Sequence, residues 1–216
     1  APLVASDPID HVLDEIGARV VDIRGIPAVL DLDRRFLSRE AFAIEAGTDL
    51  IDEQTRRELE TQKDLCVVLD LCSPSDDLLQ IHVDLQVEAA LGFYRSDEDS
   101  VTIITDEGGH DPLSWLIYSH EYVHALQDQA YDFSVLRDGR ERLDEARAVM
   151  ALVEGDANLT EYLFYESLPR EQQILLAEAL EAKSEPFSES EVVARAPRYI
   201  TEPFGWEHSA GAQFVF

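Results

Sequence analysis

His120, Glu121 and His124 stand in the run His120-Glu121-Tyr122-Val123-His124, an HExxH. On an α-helix residues i and i+4 share one face a turn apart, so both imidazoles can offer a nitrogen to a single metal ion. Glu121 lies beside them, where its carboxylate can take a proton from a water on the metal and return it to a departing amine. A chain of this composition would contain an HExxH by accident in about 0.02 cases, so the match is a signal, and Zn2+ is the expected ion.

A hydrolytic zinc site takes three protein ligands and keeps a fourth position open, so one ligand must come from elsewhere. Glu154, in Ala151-Leu152-Val153-Glu154-Gly155-Asp156-Ala157-Asn158, is the leading candidate. An isolated carboxylate inside an apolar helical run is costly unless it is paired or liganded. Glu145 is the alternative, although Arg142, Asp144 and Arg147 around it read as a solvated face. The metzincin pattern needs a third histidine six residues after His124, and Ala130 stands there instead. His110 and His208 remain as further ligands or as groups that polarise a substrate. Metal-bound histidines usually donate their second ring N–H to a carboxylate or carbonyl. Spacing nominates Asp128, four after His124, and Asn158, four after Glu154, for that supporting role, with Asp156 turned toward backbone near Gly155. Gly155 itself would let two helices approach closely.

Capping and periodicity outline the elements that must hold these residues. Ser6-Asp7-Pro8 caps a first helix in which Ile9, Val12, Leu13, Ile16 and Val20 recur at helical spacing. Helical patterns follow from Ser38 to Ala46, from Asp49 to about Leu71 and from Asp76 to Ala90. The period then changes. Leu91-Gly92-Phe93-Tyr94 and Val101-Thr102-Ile103-Ile104-Thr105 flank a polar turn, which predicts a β-hairpin. Asp111-Pro112 opens the helix that carries HExxH, expected from Pro112 to about Ala130. Another helix from Arg140 to about Ser167 carries Glu154, and a further one runs from Pro169 to about Lys183. The polar, proline-containing stretch 184–211 reads as an extended loop. The expected fold is α+β and mostly helical. It has a helical part over 1–90, a core over 91–183 with a small antiparallel sheet, and a loop-rich segment over 184–216, within one compact domain.

Among 216 residues, 45 are acidic and 17 basic, a formal charge of −28, and only Lys63 and Lys183 are lysines. A field of that sign repels phosphate backbones, so nucleic acid is not an expected partner. It suits either a surface adapted to high ionic strength or a cationic partner. No run reaches the roughly 18 apolar residues of a membrane helix. The start at Ala1 without a methionine, and the apolar stop at Gln213-Phe214-Val215-Phe216, predict further sequence at both ends. Cys66 and Cys72 are six apart among apolar neighbours and would sit on different faces of a helix. They are expected to be buried free thiols.

The HEYVH run with a downstream helical glutamate resembles the gluzincin clan of zinc metallopeptidases, of which thermolysin is the familiar member. The resemblance narrows further. Leu91-Gly92-Phe93-Tyr94, His120-Glu121-Tyr122-Val123-His124-Ala125-Leu126-Gln127-Asp128-Gln129 and Ala151-Leu152-Val153-Glu154-Gly155-Asp156-Ala157 are similar to a group of largely uncharacterised bacterial metallopeptidases. That group shares an HEYxHALQDQ helix and an ALxEGDA helix. Arg24-Gly25-Ile26-Pro27 and Phe36-Leu37-Ser38 also fit, so the resemblance covers most of the chain. It implies a zincin-like core with His120, His124 and Glu154 as zinc ligands and Glu121 as the base. It also implies a strand before the active-site helix, here Val101, Thr102, Ile103, Ile104 and Thr105, pairing with an extended peptide substrate. Such proteins stabilise the oxyanion with a His or Tyr, for which Tyr131, Tyr162, Tyr165 and His208 are candidates. Asn158 departs from the thermolysin-like pattern, which has an Asp there. Members of the group are often exported or held at the cell surface, which gives the same expectation here.

Three functions fit this reading. The leading one is a zinc metallopeptidase acting on a peptide or protein. A zinc-containing scaffolding domain with a closed site is the second, and a zinc hydrolase of a non-peptide amide is the third.

Overall fold

Pro8 supplies the fixed φ that starts α1 (Ile9–Arg24), a helix that buries Val12, Leu13, Ile16, Gly17 and Val20. It stops at Gly25, whose φ of 67° is the left-handed conformation that ends helices. The computed structural model describes residues 3, 8–29, 31–48, 53–106, 108–137, 143–188, 190–201 and 205–216. Ser6 and Asp7 of the expected cap, and Arg140 at the expected start of the Glu154 helix, lie outside the described residues. After α1 come β1 (Asp33–Leu37), α2 (Arg39–Thr48), α3 (Glu53–Val68) and α4 (Leu78–Ala89). The hairpin is β2 (Gly92–Arg95) and β3 (Ser100–Ile104), followed by α5 (Pro112–Tyr131), α6 (Phe133–Arg137) and α7 (Leu143–Ser167). The chain closes with α8 (Arg170–Ser188), α9 (Glu191–Arg195), α10 (Arg198–Thr201) and α11 (Trp206–Val215). The fold is therefore α+β and mostly helical, with a small sheet.

The sheet departs from the expected hairpin in one consequential way. β1 pairs in parallel with β3, Asp33 opposite Ser100 and Leu37 opposite Ile104, so the strand order is β1-β3-β2. The sequence Asp-Arg-Arg-Phe-Leu has no alternation to mark it as a strand, and only the partner makes it one. β3 is thus central, its backbone bonded on both sides, and Val101, Thr102, Ile103 and Ile104 are buried. The expectation that Val101 to Thr105 forms a substrate-binding edge is overturned, and the Thr105 amide donates to the Leu37 carbonyl at 2.8 Å. Among the described residues the hairpin edge left free is β2.

Two further expectations are corrected. Cys66 and Cys72 form a disulfide rather than standing as free thiols. α3 ends at Val68, Asp70 takes a φ of 58°, and the chain folds back so that the Leu71 amide donates to the Cys66 carbonyl. The helical-face argument fails because the helix stops between the two residues. The segment 184–211 is largely helical rather than an extended loop, for it holds α9, α10 and most of α11. α11 lies directly on α7. A Cβ added to Gly211 would fall 1.8 Å from the Ala151 carbonyl oxygen, and one on Gly155 would fall 2.3 Å from that of Gly211. This glycine contact, rather than apolar periodicity, seats the helix.

α5 is the buried axle. Asp111 caps it by accepting from the Ser114 amide at 2.9 Å, Pro112 occupies the first turn, and Ser114 to Gln127 is buried without a break. A helix buried all round has no solvent face to carry polar groups, so its two histidines and its glutamate must find partners inside. The main core joins Leu13 and Ile16 of α1, Ile103 of β3, Leu126 of α5, Phe164 of α7 and Leu176 of α8. Among the described residues no helix is long and apolar enough to cross a membrane.

Candidate metal centre

One face of α5 presents His120 and His124, and α7 crosses it with Glu154. His120 Nε2 lies 3.2 Å from His124 Nε2 and 3.3 Å from Glu154 Oε2, and His124 Nε2 lies 3.5 Å from the same oxygen. Ligand atoms of the three residues all fall within 4.8 Å of one another, so the group could hold a metal ion. Two donors on one tetrahedral ion, at roughly 2.1 Å each, stand about 3.4 Å apart, which is the spacing found here. Glu154 Oε2 is buried and accepts no hydrogen bond of normal geometry, the condition of an atom that a cation would satisfy.

The second nitrogen of each histidine is held from behind. His120 Nδ1 is 2.9 Å from Glu161 Oε2, and His124 Nδ1 is 2.9 Å from Gln127 Oε1. With both Nδ1 atoms carrying the proton as donors, the Nε2 lone pairs face the cluster. Gln127 is itself fixed, its Nε2 donating to Asp156 Oδ2 at 2.7 Å and to the Val153 carbonyl at 3.0 Å. Arg24 donates to the same Asp156 oxygen at 2.8 Å. A relay of Arg24, Asp156 and Gln127 thus ties α1 and α7 to the His124 ring.

The supporting residues nominated from spacing are only partly these. Asp156 contributes through Gln127, not through backbone near Gly155. Asp128 touches neither histidine: it accepts from the Tyr94 hydroxyl at 2.9 Å and from the Phe133 amide at 2.6 Å. Its carboxylate is taken by the turn into α6. Asn158 donates to the His208 carbonyl at 3.2 Å and so holds α11. The carboxylate that reaches His120 is Glu161, one turn further along the same face of α7, and Gln127 does for His124 what Asp128 was expected to do. Glu161 lies seven residues, two helical turns, after Glu154, and Gln127 lies three after His124, and that helical spacing was the available signal.

His208 approaches Glu154 from α11. Its Nε2 stands 3.1 Å from Glu154 Oε2, and its ring is stacked on that of His120 with centroids 6.0 Å apart. His110 and Glu145 are exposed, as are Tyr131 and Tyr162, while the Tyr165 hydroxyl donates to the Gln173 carbonyl at 3.4 Å. None of these joins the cluster.

Burial by itself would lower the His120 pKa, but Glu154 and Glu161 raise it well above the ordinary imidazole value. Burial likewise works to raise Glu154, and the imidazoles of His120 and His124 override it and hold the carboxyl far below the usual range. Burial wins at Glu121, whose carboxyl is raised. Two cavities share His120, Glu121 and Glu154 in their linings. One of about 760 Å³ reaches Leu59, Leu180 and Ile200, and one of about 220 Å³ is walled by Phe93, Tyr94 and Phe133. β2 runs beside both. A Cβ on Gly92 would fall 2.6 Å from Ile117 Cγ2 and 3.2 Å from Glu121 Cγ, so only glycine lets the strand lie this close to Glu121.

No family model matches the chain, and no curated protein or solved structure shows significant similarity to it.

Proposed function

We propose that the protein is a zinc metallopeptidase of the gluzincin type. The observation that carries this reading is the meeting of two imidazole nitrogens and a carboxylate oxygen at tetrahedral spacing, with a buried glutamate beside them and two cavities that they help to line. Two histidines and a glutamate with a position left open is a donor set that zinc takes in hydrolytic sites. When bound, zinc lowers the pKa of water and polarises the scissile carbonyl. Glu121 takes the proton of the attacking water. It then passes that proton to the departing amine. His208 donates to the carbonyl oxygen as charge develops there. The free edge of β2 pairs with the extended peptide, and Gly92 brings that backbone next to Glu121.

Elemental analysis after dialysis against a weak chelator tests the ligands: about one zinc per chain in wild type, with most of it lost in Glu154→Ala. Glu121→Gln should keep zinc and lose cleavage of a peptide library. Equal cleavage by that variant would sink the mechanism.

One observation favours a second reading. His208 stands 3.1 Å from the ligand oxygen, near enough to act as a fourth ligand and close the site into a structural one. His208→Ala separates the two. A carbonyl-polarising His208 costs turnover at unchanged zinc content, whereas a fourth ligand costs zinc.

A further inference from the structure

The larger cavity has one strongly cationic side chain among its described lining residues, Arg147. Its position follows from helix geometry. Arg147, Met150, Glu154, Asn158 and Glu161 form a stripe along the face of α7 that lines the cavity. Arg147 is seven residues, two turns, before Glu154, about 10 Å along the helix axis. Around it the cavity is anionic. Glu121, Glu154, Glu161 and Glu207 line the same space, in a chain of formal charge −28.

Arg147 is held by a single contact. Its Nε pairs with Glu207 Oε1 at 3.2 Å across the α7 and α11 seam, and its side chain is 36% exposed. Among the described residues nothing accepts from its two terminal amino groups. The pair is not what joins the helices, because the Gly155 and Gly211 contact already does so. A guanidinium fixed through Nε and open at its outer fork is arranged to receive a planar carboxylate end-on with two parallel N–H donors.

We propose that Arg147 is the anchor of a subsite for a substrate carboxylate, which makes the site selective for peptides that present one near the scissile bond. The inference rests on the metallopeptidase reading and adds the substrate class to it. An extended peptide advances about 3.3–3.6 Å per residue, so the span from Glu154 to Arg147 covers two to three residues. The carboxylate is either the chain terminus, in which case short C-terminal fragments are released, or an Asp or Glu side chain at that distance. Leu59, Met150, Leu180 and Ile200 give the rest of the cavity an apolar lining for the residues between.

The test uses the zinc-loaded Glu121→Gln protein, so that binding is read without turnover. N-terminally labelled heptapeptides of one apolar sequence are compared by fluorescence anisotropy: free C-terminus, C-terminal amide, and C-terminal amide with Asp at the third position from the end. The free acid or the Asp-containing amide is expected to bind about tenfold or more tightly than the plain amide. Arg147→Gln should abolish that preference at unchanged zinc content, and Arg147→Lys should restore part of it. Glu207→Gln breaks the same ion pair but should retain or increase the preference. If Arg147 were only a strut, Glu207→Gln and Arg147→Gln would behave alike, and that result overturns the proposal. Equal binding of all three peptides, no binding of any of them, or a preference that survives Arg147→Gln also overturns it. Tight binding of the Asp-containing amide assigns the carboxylate to a side chain, and weak binding assigns it to the terminus. The peptidase reading fails separately, when wild-type protein binds the free acid yet hydrolyses none of the three.

Discussion

At the scale of single residues, the site is held by groups that never touch its centre. Glu161 fixes the His120 ring and Gln127 fixes that of His124, each at 2.9 Å from Nδ1. Losing such a partner typically weakens a metal site 10- to 100-fold. Glu161→Gln is therefore expected to weaken zinc binding by about that factor, read by competition with a chelator of known affinity. The same carboxylate sets a pH dependence. Glu154 and Glu161 raise the His120 pKa against the opposing effect of burial, so in the absence of zinc that ring keeps its proton to higher pH than usual. A metal ion held at this ring must displace the proton, so on the zinc reading affinity is expected to rise with pH and fall on acidification. The slope should be shallower in Glu161→Gln, where one of the two carboxylates that hold the proton is gone. An unchanged slope would mean that Glu161 does not act on His120.

At the scale of elements, two contacts carry the arrangement. The α7 and α11 crossing is closed by Gly155 against Gly211, leaving no space for a side chain at either position. Gly211→Val must push α11 away, and overpacking of this kind costs about 1–3 kcal/mol. The variant is expected to unfold at lower temperature and to keep its zinc, because α11 supplies none of the three ligands. On the peptidase reading it is also expected to lose turnover, because His208 leaves with the helix. Loss of zinc in step with turnover would instead favour His208 as a fourth ligand. The second contact is the disulfide that locks the end of α3, whose Leu59 lines the larger cavity. Closing so short a loop is worth about 2 kcal/mol in the chain-entropy account. Reduction, or Cys66→Ser with Cys72→Ser, should lower the urea midpoint accordingly. No change would mean that the bond constrains neither state.

At the scale of the whole molecule, the charge of −28 is the dominant feature. Carboxylates at that density repel one another in the folded state, and the repulsion is screened as the Debye length shrinks from about 10 Å at 0.1 M salt to about 3 Å at 1 M. Thermal stability should therefore rise with added KCl across that range, as followed by circular dichroism. A fall would show that attractive pairs, such as Arg34 with Asp14 at 2.7 Å and Arg24 with Asp156 at 2.8 Å, outweigh the net repulsion.

The sequence by itself determined what local chemistry determines. It placed His120, Glu121 and His124 together because helical periodicity puts i and i+4 on one face. It nominated Glu154 because a charge in an apolar helical run needs a partner, and it located β2, β3 and the capped start of α5 from turn and capping residues. Only the tertiary structure decided what depends on residues distant in the chain. β1 is a strand because β3 pairs with it, which turns β3 from an edge into the centre of the sheet. α11 is seated by one glycine contact rather than by a periodic apolar face, and it alone brings His208 to Glu154. Glu161 took the place expected for Asn158 because side-chain reach across the α5 and α7 crossing chooses which carboxylate meets His120, and Gln127 took that of Asp128 because Tyr94 and the Phe133 amide already occupy the Asp128 carboxylate. Periodicity describes how a segment relates to itself, whereas a site assembled from α5, α7 and α11 is a relation among segments.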